Sequence, residues 1–284
     1  MYQAELTNYC LHKYKICKNT VKIFFFFISC SISNFQYAQD VEMGLNGGVS
    51  NYLGDLAPEI TISENHPYFS LFIKKNMSQF FSISFSASQA HISGNDQNFN
   101  YLANRNLSFE TNIFEISTQL EFNFFPFAFG LGHKSFTPYV FTGLSAFKFD
   151  PYVSYNGSIV KLNQLDTEAK VASGDKKHVY TTIQLALPIG GGFKYKLSDR
   201  WNIGINLSYR YCFTDYLDDV STEYADKMLL LSKKSLLAVE MSDRSEDLIG
   251  KAGKQRGRSD IKDWYIFSGI SVSYKIKNKV CFTF

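Results

Sequence analysis

From residue 185 to residue 213 every second position is apolar or aromatic, on both sides of one short polar turn. Leu185, Leu187, Ile189, Gly191, Phe193, Tyr195 and Leu197 lead in; after Ser198, Asp199 and Arg200 the series resumes with Trp201, Ile203, Ile205, Leu207, Tyr209, Tyr211 and Phe213. A period of two places these side chains on one face of a β-hairpin. The opposite face carries Gln184, Gly190, Gly192, Lys194, Lys196, Asn202, Asn206, Ser208, Arg210 and Thr214. A tilted strand crosses a bilayer in about 9 to 11 residues, and both arms are long enough. Few soluble sheets alternate for this long with Trp and Tyr at the strand ends.

The same alternation recurs over 41–51, 68–74, 79–92, 114–124, 137–149 and 264–277, although the fifth of the eight strands has apolar groups on both faces and no evident orientation. The connections sort by length. Those over 75–78, 126–136 and 198–200 are short, whereas 52–66, 93–106, 150–178 and 217–263 are long, and the two kinds alternate. Outer-membrane barrels have short periplasmic turns and long external loops; a soluble barrel has no reason to segregate them. The expected fold is therefore all-β, an eight-stranded antiparallel up-and-down transmembrane β-barrel of the outer-membrane type, spanning 39–284 as one domain in the bacterial outer membrane. Aromatic residues make up 17% of the chain while the hydrophobic fraction is only 45%, as expected when one face of each strand meets lipid. No apolar run approaches the roughly 18 residues of a membrane helix. The net charge of +3 is spread without a basic stripe, so nucleic acid is not an expected partner.

The first residues read as a targeting segment. Lys13, Lys15, Lys18 and Lys22 precede an apolar stretch over 23–32, and Gln36, Tyr37 and Ala38 follow. Residues 1–38 are expected to be a secretory signal peptide cleaved after Ala38, with a true start downstream of Met1; lipoprotein processing at Cys30 is the alternative. Cys10, Cys17 and Cys30 would leave with it. If Cys212 opposes residue 268 in the last hairpin, Cys281 lies about 40 Å away at ~3.3 Å per residue, out of disulfide reach. Two free thiols are expected.

With about eight strands the interior of a barrel is just filled by side chains. The inward set includes Glu42, Glu115, Glu121, Lys194 and Arg210, and buried charges must pair. An internal charge network that closes the barrel is expected, not a pore. His66, His91, His133 and His178 are scattered, and no metal or cofactor is expected. His91 and Ser93 share a strand face, the outward one by the alternation. A hydroxyl beside a base can be activated for attack, so a lipid A-modifying enzyme is one alternative. In the fourth long loop, apolar and charged residues between Ala225 and Met241 suggest one amphipathic helix over the barrel mouth. The basic, glycine-rich 250–258 is expected to be mobile. The end of the chain, Val280, Cys281, Phe282, Thr283 and Phe284, resembles the terminal signal read by barrel-assembly machinery.

Several segments together resemble the PorG-like outer-membrane barrels: Gly47, Gly48, Val49, Ser50, Asn51, Tyr52, Leu53, Gly54, Asp55 and Leu56; the run 137–141; Ser242, Asp243, Arg244 and Ser245; and Trp264, Tyr265, Ile266, Phe267, Ser268 and Gly269 following Arg256 and Gly257. The resemblance covers essentially the whole mature chain, and the GGVSNYLGDL run is its most specific part. It implies a non-enzymatic component of the type IX secretion system, which exports proteins and in some bacteria serves gliding motility. Such a barrel anchors a periplasmic ring, made of a lipoprotein and its partner protein, to the outer membrane. Geometry then offers the periplasmic turns as contact residues: Lys74, Lys75, Asn76 and Met77, the stretch 126–134, Asp199 and Arg200, and the tail from Lys277. A surface adhesin or a general outer-membrane stability barrel is the other alternative.

Overall fold

The structure, a computed structural model, describes residues 41–127, 135–174 and 180–276. The proposed signal peptide with Cys10, Cys17 and Cys30, together with His133, His178, Lys277, Cys281 and the final aromatic run, lies outside the described residues. Eight long strands form a closed antiparallel barrel: β1 (Val41–Leu53), β2 (His66–Asn76), β3 (Phe81–Asn95), β4 (Ser108–Asn123), β5 (Phe136–Lys148), β8 (Ile183–Lys196), β9 (Trp201–Cys212) and β10 (Trp264–Ile276). Each pairs with its sequence neighbour. β1 closes on β10, with Gly48 opposite Gly269. Between β5 and β8 the third long loop holds a small hairpin, β6 (Tyr152–Tyr155) with β7 (Ser158–Lys161), and the short helices α1 (Leu162–Leu165) and α2 (Lys170–Ser173).

The two described short turns share one hydrogen-bond pattern. Ser78 Oγ accepts the N–H groups of Phe80 and Phe81 at 3.2 and 3.0 Å, and Ser198 Oγ accepts those of Arg200 and Trp201 at 3.3 and 3.1 Å. In both, two successive N–H groups converge on the first carbonyl of the next strand, Phe81 or Trp201. A serine hydroxyl can stand in for a backbone partner in this way, and it fixes the register of both hairpins.

Alternation sorts the side chains as the sequence requires. Leu45, Leu71, Phe85 and Ile205 are about half exposed on the outside, at 50%, 51%, 52% and 54%. They belong to a continuous apolar band that water would not tolerate on a monomer and that lipid covers. β5 resolves with Val140, Leu144 and Ala146 outward and Tyr139, Ser145 and Phe147 inward. Aromatic girdles bound the band: Tyr209, Tyr211, Phe213 and Trp264 at the extracellular end, Trp201, Tyr274, Phe136 and Phe193 at the other. An apolar belt between two girdles is the signature of an outer-membrane barrel, and that is where this protein resides.

The seam between β1 and β10 depends on glycine. A Cβ on Gly48 would fall 2.1 Å from the Ser268 carbonyl oxygen, and one on Gly269 2.5 Å from that of Gly47. The hydrophobic core fills the extracellular end of the barrel, where Tyr52, Ile92, Phe109, Phe147, Tyr265 and Phe267 meet Leu56, Leu217 and Met241 from the loops.

Two expectations about the ends of the barrel are corrected. β9 stops at Cys212 because the chain turns inward into the cap, so Tyr211, not residue 216, lies opposite Trp264, and Cys212 faces Asp263 instead of residue 268. Its thiol is free and buried. The fourth loop forms two helices rather than one, α3 (Lys227–Lys233) and α4 (Leu236–Ser242). Ser235 breaks the run by capping α4, accepting the Ala238 N–H at 3.2 Å. Within 250–258, Gly250, Arg256 and Gly257 are buried and the other six residues are exposed.

Candidate functional site

The barrel interior is a layered set of ion pairs. Glu121, from β4, lies between two lysines: Lys74 of β2 at 2.9 Å and Lys194 of β8, which bonds its other oxygen. Lys194 also rests over the Tyr139 ring at 4.4 Å, a cation–π contact. Glu42 balances the second lysine charge and accepts hydrogen bonds from Asn76 at 2.7 Å, Ser273 at 3.0 Å and Asn202 at 3.3 Å. Nearer the extracellular end, Glu115 accepts from Arg210 Nε at 3.1 Å and from the Tyr265 hydroxyl at 2.5 Å. The Arg210 guanidinium stacks 4.0 Å above Phe267. Between the layers remains a chamber of about 70 Å³ lined by Ser70, Ser84, Ser86, Ser88, Asn206 and Ser208. It has room for a few waters and is far too small for a channel.

Lys74 and Asn76, grouped above with the periplasmic turn, belong to this interior. Lys74 is 7% and Asn76 3% exposed. The cause is strand length: β2 runs on to Asn76, so the alternation that turns Ser70 inward also turns Lys74 and Asn76 inward. The turn surface retains Lys75 and Met77 on one side of the rim and Asp199 and Arg200 on the opposite side. Arg200 donates to the Tyr274 hydroxyl at 3.0 Å, and Asp199 pairs with Lys196 at 3.1 Å. In 126–134, Phe127 is buried beneath Lys194; 128–134 lie outside the described residues.

At the extracellular rim the histidine beside Ser93 is His66, not His91. His66 Nε2 lies 2.6 Å from Ser93 Oγ, whose proton goes to Glu64. His91 instead meets Asn112 at 3.1 Å and Glu110 at 3.3 Å, and its ring packs edge-on against His66. Ser93 is 6% exposed because the end of the first loop, with Glu64 and Asn65, folds over this rim and is tied to Asn51. Its hydroxyl faces two polar neighbours, His66 and Glu64.

Above the interior, the loops weld into a cap that sequence reasoning missed. Glu168 accepts the N–H of Ser221 at 2.9 Å, the hydroxyl of Thr222 at 2.6 Å and Arg256 Nη1 at 3.2 Å. Arg256 donates further to the carbonyls of Asp219 at 2.7 Å and Ser242 at 3.2 Å. Arg105 joins the second loop to the others through Asp96 at 2.6 Å and the carbonyls of Asp55 and Arg256, both at 2.7 Å. Beneath them the Tyr52 hydroxyl contacts Asp218 at 2.7 Å and Asp263 at 2.9 Å. One hydroxyl proton cannot serve two carboxylates, so one acid keeps its proton. Burial first, and then the charge of Asp263 on Asp218 and of Asp215 on Asp263, push both carboxyls well above the usual range. Burial likewise raises Asp215 to about 7 and Asp219 to about 6.

Residues 20–232 match the family described as "Domain of unknown function (DUF6089)". The chain belongs to that family. A search of curated proteins found no match. Among solved structures, the DUF6089 barrel is similar to Ail, the attachment invasion locus protein of Yersinia pestis, at 9% identity and TM-score 0.40, covering 84% of this chain and all of that one. Neisserial surface protein A is similar at 10% identity and TM-score 0.36, over 84% of this chain and 98% of the other. E. coli outer membrane protein W follows the same pattern at 11% identity and 0.33, over 85% and 100%. The membrane assignment of the DUF6089 barrel rests on its own outer surface.

Proposed function

We propose that this DUF6089 barrel is a structural, non-enzymatic anchor in the outer membrane that holds a periplasmic ring of the type IX secretion and gliding machinery, through a ring lipoprotein and its partner protein. The observation that carries the structural part is the balanced interior: Lys74, Lys194, Glu121 and Glu42 neutralise one another across three strands and β1, leaving no room for transport. The resemblance to PorG-like barrels supports the secretion part. Its most specific run ends β1 and enters the first loop, and Trp264–Gly269 pairs with it along the glycine seam. On this reading the exposed turn residues Lys75, Met77, Asp199 and Arg200 face the ring.

The test is site-specific crosslinking in intact cells from Lys75 and Arg200, beside a deletion strain. A periplasmic lipoprotein recovered from both turns, with export lost in the deletion strain, is expected. No lipoprotein recovered, with export intact, defeats the anchoring role and leaves the barrel. The lipid A-modifying alternative now concerns His66 as well as His91: unchanged lipid A acylation in His66→Ala and His91→Ala strains removes it.

A further inference from the structure

The loops that cap the barrel leave one large groove, of about 700 Å³, between the first, second and fourth of them. Its lining carries five basic side chains, Arg105, Lys254, Arg256, Arg258 and Lys262, against one carboxylate, Asp55. Two of the five are committed. Arg105 and Arg256 spend their donors on Asp96, Glu168 and loop carbonyls. The other three make only long contacts: Lys254 to the Ile249 carbonyl at 3.4 Å, Lys262 to the Ser259 carbonyl at 3.5 Å and Arg258 to the exposed Asp260 at 3.5 Å. Asp55 is engaged by the Arg258 backbone N–H at 2.8 Å. With five cations against Asp55, and Asp260 at its edge, the groove presents an excess of positive charge.

The rest of the lining is apolar and has a definite address. Leu53 and Trp264 are the last outward positions of β1 and β10 and oppose each other across the seam. Trp264 packs against Tyr209 and Tyr211 in the extracellular girdle, which marks the headgroup level of the outer leaflet. Ile261, 43% exposed, and Tyr101, 69% exposed, continue this apolar wall into the loops. A ligand that fits must offer anionic groups to the loops and hydrocarbon to the girdle, at the level where the membrane surface lies.

We propose that this groove binds a phosphorylated glycolipid of the outer leaflet, with its phosphates at Lys254, Arg258 and Lys262 and the start of an acyl chain against Leu53, Ile261 and Trp264. The site uses the loop end of the GGVSNYLGDL run, with Arg256 and Gly257, on the face opposite the periplasm, so it is independent of ring anchoring. Each basic residue near a lipid surface contributes a factor of about five in affinity.

The test uses the full chain in uncharged detergent, with Trp201→Phe leaving Trp264 as the single tryptophan. Titration with bisphosphorylated lipid A is expected to change Trp264 emission saturably. Replacing Lys254, Arg258 and Lys262 together by Ala weakens the midpoint roughly a hundredfold, with heat-modifiable migration as the check on folding. Phosphate-free lipid A, on the unaltered groove, loses a similar factor. Equal affinity for phosphate-free lipid, or a folded triple variant that binds as well as its parent, overturns the proposal. So does dextran sulfate that saturates the signal with the midpoint of lipid A, since the site would then recognise an anionic glycan without its acyl chain.

Discussion

Buried carboxylates occur in two parts of this molecule, and they are compensated in opposite ways. In the barrel interior Glu115 and Glu121 meet Arg210, Lys74 and Lys194. In the cap Asp218 and Asp263 meet each other across Tyr52, and Asp215 meets only the Ser221 hydroxyl at 2.7 Å. Strand pairing brings cations and anions from alternate positions to one level, so charge is matched by charge. The cap gathers acids from three loops with too few cations among them, so protons complete the balance. The cap should therefore respond to pH near neutrality.

The largest effect that would break this comparison comes from Glu121→Gln. It strands two buried ammonium groups, and breaking a buried pair costs about 3–5 kcal/mol. Urea unfolding in detergent should show it, and an unchanged midpoint would mean the lysines are hydrated rather than paired. Next, Gly48→Val thrusts a branched side chain at the Ser268 carbonyl and should cost about 1–3 kcal/mol or more, seen as a smaller folded fraction by heat-modifiable migration. Wild-type folding yield would show that the β1–β10 seam can spread. Ser235→Ala removes the cap that separates α3 from α4 and should cost that helix about 1 kcal/mol, measured as faster hydrogen exchange over 236–242 with the barrel strands unchanged.

The pH prediction is smallest and sharpest. For Asp215 and Asp219 the folded carboxyl lies at about 7 and about 6, above its unfolded value. Their contribution to cap stability is therefore complete below about pH 4 and is lost as pH rises through 6 to 7. Exchange over 213–222, corrected for intrinsic rates, should be faster at pH 8 than at pH 5. Equal protection of the cap at both values would contradict it. Asp215→Asn, which removes one of the two carboxyls that titrate in this window, should flatten the dependence.

Period-two patterning made the eight strands, their membrane face and the inward set Glu42, Glu115, Glu121, Lys194 and Arg210 legible before any coordinates. The same parity already places Lys74 inward, as the last residue of 68–74, and places Asn76 inward once strand two is followed two residues further. Other features had no such signal. The neighbour of Ser93 proved to be His66, from a different strand end, and Tyr52 finds its partners 166 and 211 residues away. The acids of the cap and the cations of the groove come from loops, where no repeat links position to orientation.

What the sequence alone determined is thus whatever depends on alternation along one chain segment: strand, face and barrel. A pleat converts residue parity into direction, so a string of letters suffices. Which lysine meets which glutamate, which loop covers which rim and where cations outnumber carboxylates were decided by tertiary closure, because those contacts depend on the spacing of strands and loops that only the closed barrel sets.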